Sequence, residues 1–130
     1  MRQPKMNKKK QDNRQVPGLE RMVDNQSVYR LLGLANRAGR VIGGRDAVDK
    51  AIRQKQACLV IIADDTAKRT NRQIREMAGR ENVSVSEFGQ KDLLGHWTGA
   101  ASRAAVAVMD THFAVRLNEL IDQIEMIQDS

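Results

Sequence analysis

Gly43-Gly44-Arg45 is the stretch of this sequence whose residue types best suit chemistry. It lies between a short apolar pair, Val41-Ile42, and an amphipathic segment. That segment has Ala47, Val48, Ala51 and Ile52 on one side and Arg45, Asp49, Lys50 and Arg53 on the other. Glycines at such a turn let the backbone come close to a ligand. A helix opening directly after them offers unpaired N–H groups and a positive dipole end, suited to a phosphate or to base-edge acceptors. Arg45 adds a fork of donors that can pair with phosphate or guanine. Lys50 and Arg53 extend the positive edge one and two turns on. The competing reading is a tight strand–helix connection with no ligand.

Enzyme chemistry finds no such support. The Gly-Gly turn has neither a Walker lysine-serine ending nor dinucleotide-binding glycine spacing. His96 and His112 flank different elements and share no metal-ligand spacing. Cys58, the single cysteine, sits in an apolar run where a thiol is usually inert. Asp64-Asp65 beside Thr66 is expected to cap a helix rather than to form a catalytic carboxylate pair. Nothing assembles a nucleophile, a base and an oxyanion site, so a non-enzyme with no cofactor and no metal is expected.

The elements that would position the turn read clearly. Val28, Leu31, Leu32, Leu34 and Ala35 follow helical spacing, with Ser27 as the expected N-cap and Gly39 as a left-handed C-cap. Cys58–Ala63 is a continuous apolar run, the mark of a strand covered on both faces. A helix over Lys68–Gly79 follows; its basic face, Lys68, Arg69, Arg72 and Arg75, is read as solvated in preference to phosphate-binding. Asn82–Phe88 alternates as a half-buried strand, and Gln90–His96 makes a short helix. Ala104–Met109 is a further apolar strand. Asp110-Thr111 caps a last helix with Phe113, Leu117, Leu120, Ile121, Ile124 and Ile127 in one stripe, its end beyond Leu120 expected to overhang the domain. The order α-β-α-β-α-β-α-β-α predicts an α/β fold, a three-layer α/β/α sandwich around a roughly four-stranded mixed sheet in a single domain.

The 130 residues carry a net charge of +6, which suits an anionic partner. Residues 1–26 hold seven Lys/Arg against three Asp/Glu, so most of the excess lies there. They lack periodicity and include Pro4, Pro17-Gly18 and Lys8-Lys9-Lys10. A basic tail, probing phosphate or merely solubilising, is expected over 1–26, and a folded domain over 27–130. No apolar run is long enough to span a bilayer, the composition fits a cytoplasmic compartment, and a monomer is expected. One Trp, one Tyr and two Phe are too few for a single-strand binder built on stacking platforms.

The stretches LLGLANRAGRVIGGRDAVDKAI, LVIIADDTA, DLLGHWTG and AAVAVMD, in that order over residues 28–117, resemble the YlxQ-type branch of the ribosomal-protein L-seven-Ae/L-thirty-e superfamily. The resemblance implies an α/β/α sandwich that binds structured RNA, often kink-turns, around ribosomes or RNA–protein particles. It also implies an RNA-binding edge with two parts: Gly44, Arg45, Asp46, Ala47 and Lys50, and the loop Gly99, Ala100, Ala101, Ser102 and Arg103. Gly43, Arg37 and Arg40 are expected to support that edge. In strong kink-turn binders the turn reads Gly-Thr-Asn-Glu with a Lys on the next turn; Gly44 and Lys50 match, while Arg45, Asp46 and Ala47 replace the rest. The expected partners are rRNA or another structured RNA, with the ribosome or a translation factor nearby. The alternative is a protein-interaction adaptor for a translation or transcription factor, working through the C-terminal helix.

Overall fold

The computed structural model describes residues 24–129. The basic tail expected over residues 1–26 lies outside the described residues as far as residue 23. Five helices and four strands follow in the expected order: α1 (Asn25–Arg37), β1 (Val41–Gly43), α2 (Arg45–Arg53), β2 (Leu59–Ile62), α3 (Lys68–Arg80), β3 (Ser84–Glu87), α4 (Lys91–Trp97), β4 (Ala105–Val108) and α5 (Thr111–Asp129).

The strands form one mixed sheet in the order β1-β4-β2-β3. Strand β4 is antiparallel to both β1 and β2, whereas β2 and β3 run parallel. Alternation along the two central strands divides the core. Leu59, Ile61, Val106 and Val108 face α1, α4 and α5, packing on Leu32, Leu94, Leu117 and Ile121. Val60, Ile62, Ala105 and Ala107 face α2 and α3, packing on Val48, Ile52 and Ile74. All four residues of β2 and all four of β4 are buried, so both strands are covered on both sides. The three-layer α/β/α sandwich is therefore present. Each fully buried aliphatic side chain in these strands contributes about 2 kcal/mol of transfer free energy.

Several local expectations need correction. Helix α1 is capped by Asp24, not Ser27: the Asp24 carboxylate accepts from the Ser27 amide and hydroxyl, both at 3.0 Å. An N-cap side chain bonds the amide three residues on, which is where Ser27 sits. At the other end Gly39 has φ +74° and the Arg40 amide donates to the Ala35 carbonyl, closing the expected left-handed cap. Asp64-Asp65-Thr66 does not cap α3, whose N-cap is Ala67 with no side-chain bond. Asp65 instead accepts from the Lys91 amide at 2.9 Å, at the start of α4, and the Thr66 hydroxyl donates to the Ala104 carbonyl at 3.1 Å. Asp110 does cap α5, accepting from the Phe113 amide at 3.0 Å. The α5 stripe stays buried through Ile124, and only Met126 and Ile127 of its end are exposed large apolar residues. The overhang that the adaptor reading needs is thus shorter than expected.

Candidate nucleic-acid interface

The topology brings the ends of β1, β2 and β3 and the start of β4 to one end of the sheet. The turn into α2 and the loop before β4 therefore meet there, although 60 residues separate Gly43 from Arg103. Gly44 is the N-cap of α2 with φ 97° and ψ 147°, a conformation costly for any residue with a Cβ. It provides no side-chain cap, and the first intrahelical bond is made by the Val48 amide to the Gly44 carbonyl. The amides of Arg45, Asp46 and Ala47 are left as donors at the positive end of the helix.

Arg103 closes the arrangement. Its side chain lies close against Gly43 and Gly44. A Cβ placed on Gly43 would collide with Arg103 Cδ and Nε and stand 2.8 Å from Cζ; one on Gly44 would stand 3.3 Å from Nη1. The second glycine of the pair is thus needed for backbone geometry and the first for close approach. Arg103 Nε is buried without a hydrogen-bond partner among the described residues. Unpaired buried donors are costly, and this one belongs to a cation beside three free amides.

The loop that carries Arg103 is held from both sides. The Arg103 amide donates to the Lys91 carbonyl at 3.0 Å and the Ala100 amide to the Gly95 carbonyl at 2.8 Å. The Thr98 hydroxyl donates to the Leu94 carbonyl at 2.6 Å. Gly95 admits the loop backbone, since a Cβ there would lie 2.6 Å from the Ser102 nitrogen. The Ala63 amide and the Thr66 hydroxyl both donate to the Ala104 carbonyl. Gly99, Ala101 and Ser102 remain exposed at the tip, with Ala100 half-buried. Thr66, Lys91 and Gly95 were not expected to serve this edge. A glycine inside the short α4 was the readable signal for Gly95, because it marks close backbone approach; no pattern marked the other two.

The remaining expected residues divide. Arg45 sits at the edge, its Nε paired with both carboxylate oxygens of Asp49 at 3.0 and 3.1 Å. This pair fixes the guanidinium stem and leaves the two Nη groups without a partner among the described residues. Asp46 is exposed in the same first turn, and Lys50 lies exposed about 7.5 Å up the helix. Arg37 and Arg40 are not brought in. The Met109 amide donates to the Arg40 carbonyl at the opposite end of β1, whereas Gly43 pairs with Val106. Three strand residues, about 10 Å, separate Arg40 from the turn. Arg40 instead lies near Asp110, whose carboxyl is held below its ordinary value chiefly by the Phe113 amide, with His112 and Arg40 adding to it.

The aromatic residues do not serve the edge. Tyr29 packs on Phe88 and Trp97 with ring centroids at 5.2 and 6.4 Å inside the molecule. No group of His, Cys, Asp and Glu able to hold a metal ion occurs among the described residues.

The sequence profile of the Ribosomal protein L7Ae/L30e/S12e/Gadd45 family matches residues 26–117, spanning both halves of this edge. The chain belongs to that family. It is a YlxQ-like member: it is 36% identical over 94 residues to the RNA-binding protein YlxQ of Bacillus subtilis, covering 72% of this chain and 94% of the relative. It is 27% identical over 99 residues to the RNA-binding protein YlxQ of Enterococcus faecium, covering 76% and 95%. Among solved structures, a protein of unknown function from Bacillus halodurans C superposes with a TM-score of 0.71 at 31% identity, covering 76% of this chain and 99% of that one. The Giardia lamblia 15.5kD RNA binding protein superposes with a TM-score of 0.62 at 17% identity, covering 78% and 88%, and shares the fold. These relatives are shorter than this chain. Residues 1–25 and 118–130 lie outside the family match. No helix among the described residues is long and apolar enough to cross a membrane.

Proposed function

We propose that this L7Ae/L30e-family chain is a non-catalytic RNA-binding protein. It grips sharply bent, kink-turn-like RNA on the edge built by Gly43, Gly44, Arg45 and the 99–103 loop, in a ribosome or translation setting. One observation carries the reading: Arg103 lies close against Gly43 and Gly44 beside three uncapped amides of α2. A positive helix end, a glycine surface without side chains and a flat guanidinium together suit a phosphate entering a tight backbone turn. Ala47 offers no acceptor for a guanine edge, so recognition rests on backbone shape and phosphate rather than on base identity. The name RNA-binding protein carried by both YlxQ relatives supports the same reading.

The test is titration of the full chain with a kink-turn RNA and a matched straight duplex across a salt series. A preference for the bent RNA that persists as salt rises, and that Arg103→Ala abolishes, is the expected result. Equal binding of both RNAs, vanishing with salt, would reduce the contact to counterion release and remove the shape reading.

A further inference from the structure

At the edge of the sheet opposite β1, an acidic trench runs beside β3. It begins as a cavity of about 620 Å³ between the start of α1, α5 and the loops after β2 and β3. Its floor includes Phe88 and Ile124, and its rim carries Asp64, Asp65 and Glu125. Through Glu87 and Glu125 it continues into a cavity of about 500 Å³ along β3, walled by Asn118 and Asp122 of α5. Five carboxylates thus line the trench. Among its described lining residues the one cation is Arg75, already paired with Glu87 at 3.0 Å.

The trench also exposes main-chain groups. The Phe88 amide donates to the Ile62 carbonyl at 2.9 Å, which sets the alternation of the parallel ladder: residues 84, 86 and 88 turn toward β2, and Val85 and Glu87 turn outward. The outward amides have no backbone partner among the described residues. An open edge of this kind takes an extended peptide, whose side chains are chosen by the walls. Here the walls choose Lys and Arg.

We propose that the occupant is this chain's own basic N-terminal arm, with residues 5–16 lying extended along β3. The described chain begins beside the trench, since Asn25 and Gln26 line its first cavity. Residues 1–23 hold seven Lys/Arg against Asp12 and Glu20, opposite in sign to the five trench carboxylates. Residues 5–16 contain Lys5, Lys8, Lys9, Lys10 and Arg14 and no proline. Nine residues from Val16 to Asn25 reach about 30 Å, more than the four residues of β3 require. A segment tethered so close experiences an effective concentration on the order of millimolar, so modest contacts suffice. The arm and the α5 wall with Asp122 and Glu125 both lie outside the residues matched to the family, so the device belongs to this longer chain and not to the shared core. The β3 amides lie at the sheet edge opposite β1, whereas the first cavity adjoins the end of the sheet that carries the RNA edge, so the test reads the β3 amides and not RNA affinity.

Amide hydrogen exchange on the full chain tests the proposal through the outward Val85 and Glu87 amides. At low salt they are expected to be protected roughly tenfold or more relative to an open edge. Reversing the arm (Lys8→Glu, Lys9→Glu, Lys10→Glu) or the wall (Asp122→Lys, Glu125→Lys) is expected to remove that protection. Combining the two sets is expected to restore it, which a mere folding defect in either variant would not do. The proposal is overturned if these amides exchange freely in the unaltered chain, or if their protection ignores both reversals. Protection that grows with protein concentration would also overturn it, by assigning the edge to a second copy.

Discussion

Gly43→Ala is the substitution that isolates the contact on which the interface rests. Gly43 ends β1 with a backbone angle outside the left-handed region, so alanine is tolerated by the strand itself. The added Cβ must instead displace Arg103, since it would overlap Cδ and Nε. The atoms struck are the far end of a flexible side chain, which can swing aside at small cost, and the lower chain entropy of alanine returns about 0.4–1 kcal/mol. The net change in stability is expected to stay within about 1 kcal/mol of zero, measured as the shift of the urea midpoint at constant slope. A displaced guanidinium also forfeits a charge-assisted bond to RNA, about 1.5–3 kcal/mol, or roughly 10- to 150-fold in affinity. The decisive assay is a double-mutant cycle with Arg103→Ala. With the arginine gone the Cβ has nothing to strike, so Gly43→Ala should become neutral or slightly stabilising and should cost no further affinity. If Gly43→Ala is equally damaging in both backgrounds, the glycine serves the strand and not Arg103, and the argument for the edge fails.

Other perturbations separate the roles of neighbouring residues. Arg45→Glu should change stability by no more than about 0.5 kcal/mol, because it breaks only an exposed pair with Asp49, yet lower RNA affinity at least roughly tenfold in the same titration. Asp65→Ala should destabilise by about 1 kcal/mol and raise exchange at Lys91 in α4 rather than in α3, since Lys91 loses its cap. Burial, then the charges of Glu87 and Asp65, push the Asp64 carboxyl above its ordinary value. A carboxyl raised in the folded state favours folding when protonated, below its unfolded value, and loses that contribution as pH rises through its folded value. Asp64→Asn should therefore raise the melting temperature at pH 7 and give no gain near pH 3, by calorimetry at the two pH values. Glu87 behaves in the opposite sense: Asn71 and then Arg75 hold its carboxyl low, so its contribution is present at neutral pH and fades as acid protonates it.

The fold was legible because its elements announce themselves locally. The β-branched run ending at Ile62, the apolar spacing of α1 and the glycine stop at Gly39 each depend on residues a few positions apart. Contacts across the chain were not legible in that way. Asp65 beside Thr66 looks like a cap for the helix that follows, yet the loop turns its carboxylate to Lys91, 26 residues on. Arg37 and Arg40 are near Gly43 in sequence, but an extended strand carries them to the other end of the sheet. The pairing of Gly43 with Arg103 was suggested by family resemblance alone. Its physical cause, an arginine side chain needing a residue without a Cβ beneath it, appears only once β4 is laid against β1.

That placement of β4 has a consequence for synthesis. β1 and β2 do not touch each other; both hydrogen-bond to the strand between them, which is the last of the four to be made. While a nascent chain lacks residues 105–108, its first strand has no ladder to join. The Gly43–Gly44 turn and the Arg103 loop then have no common frame. The edge comes into being only as the sheet closes, so a growing chain acquires it at the final step of sheet assembly and not before.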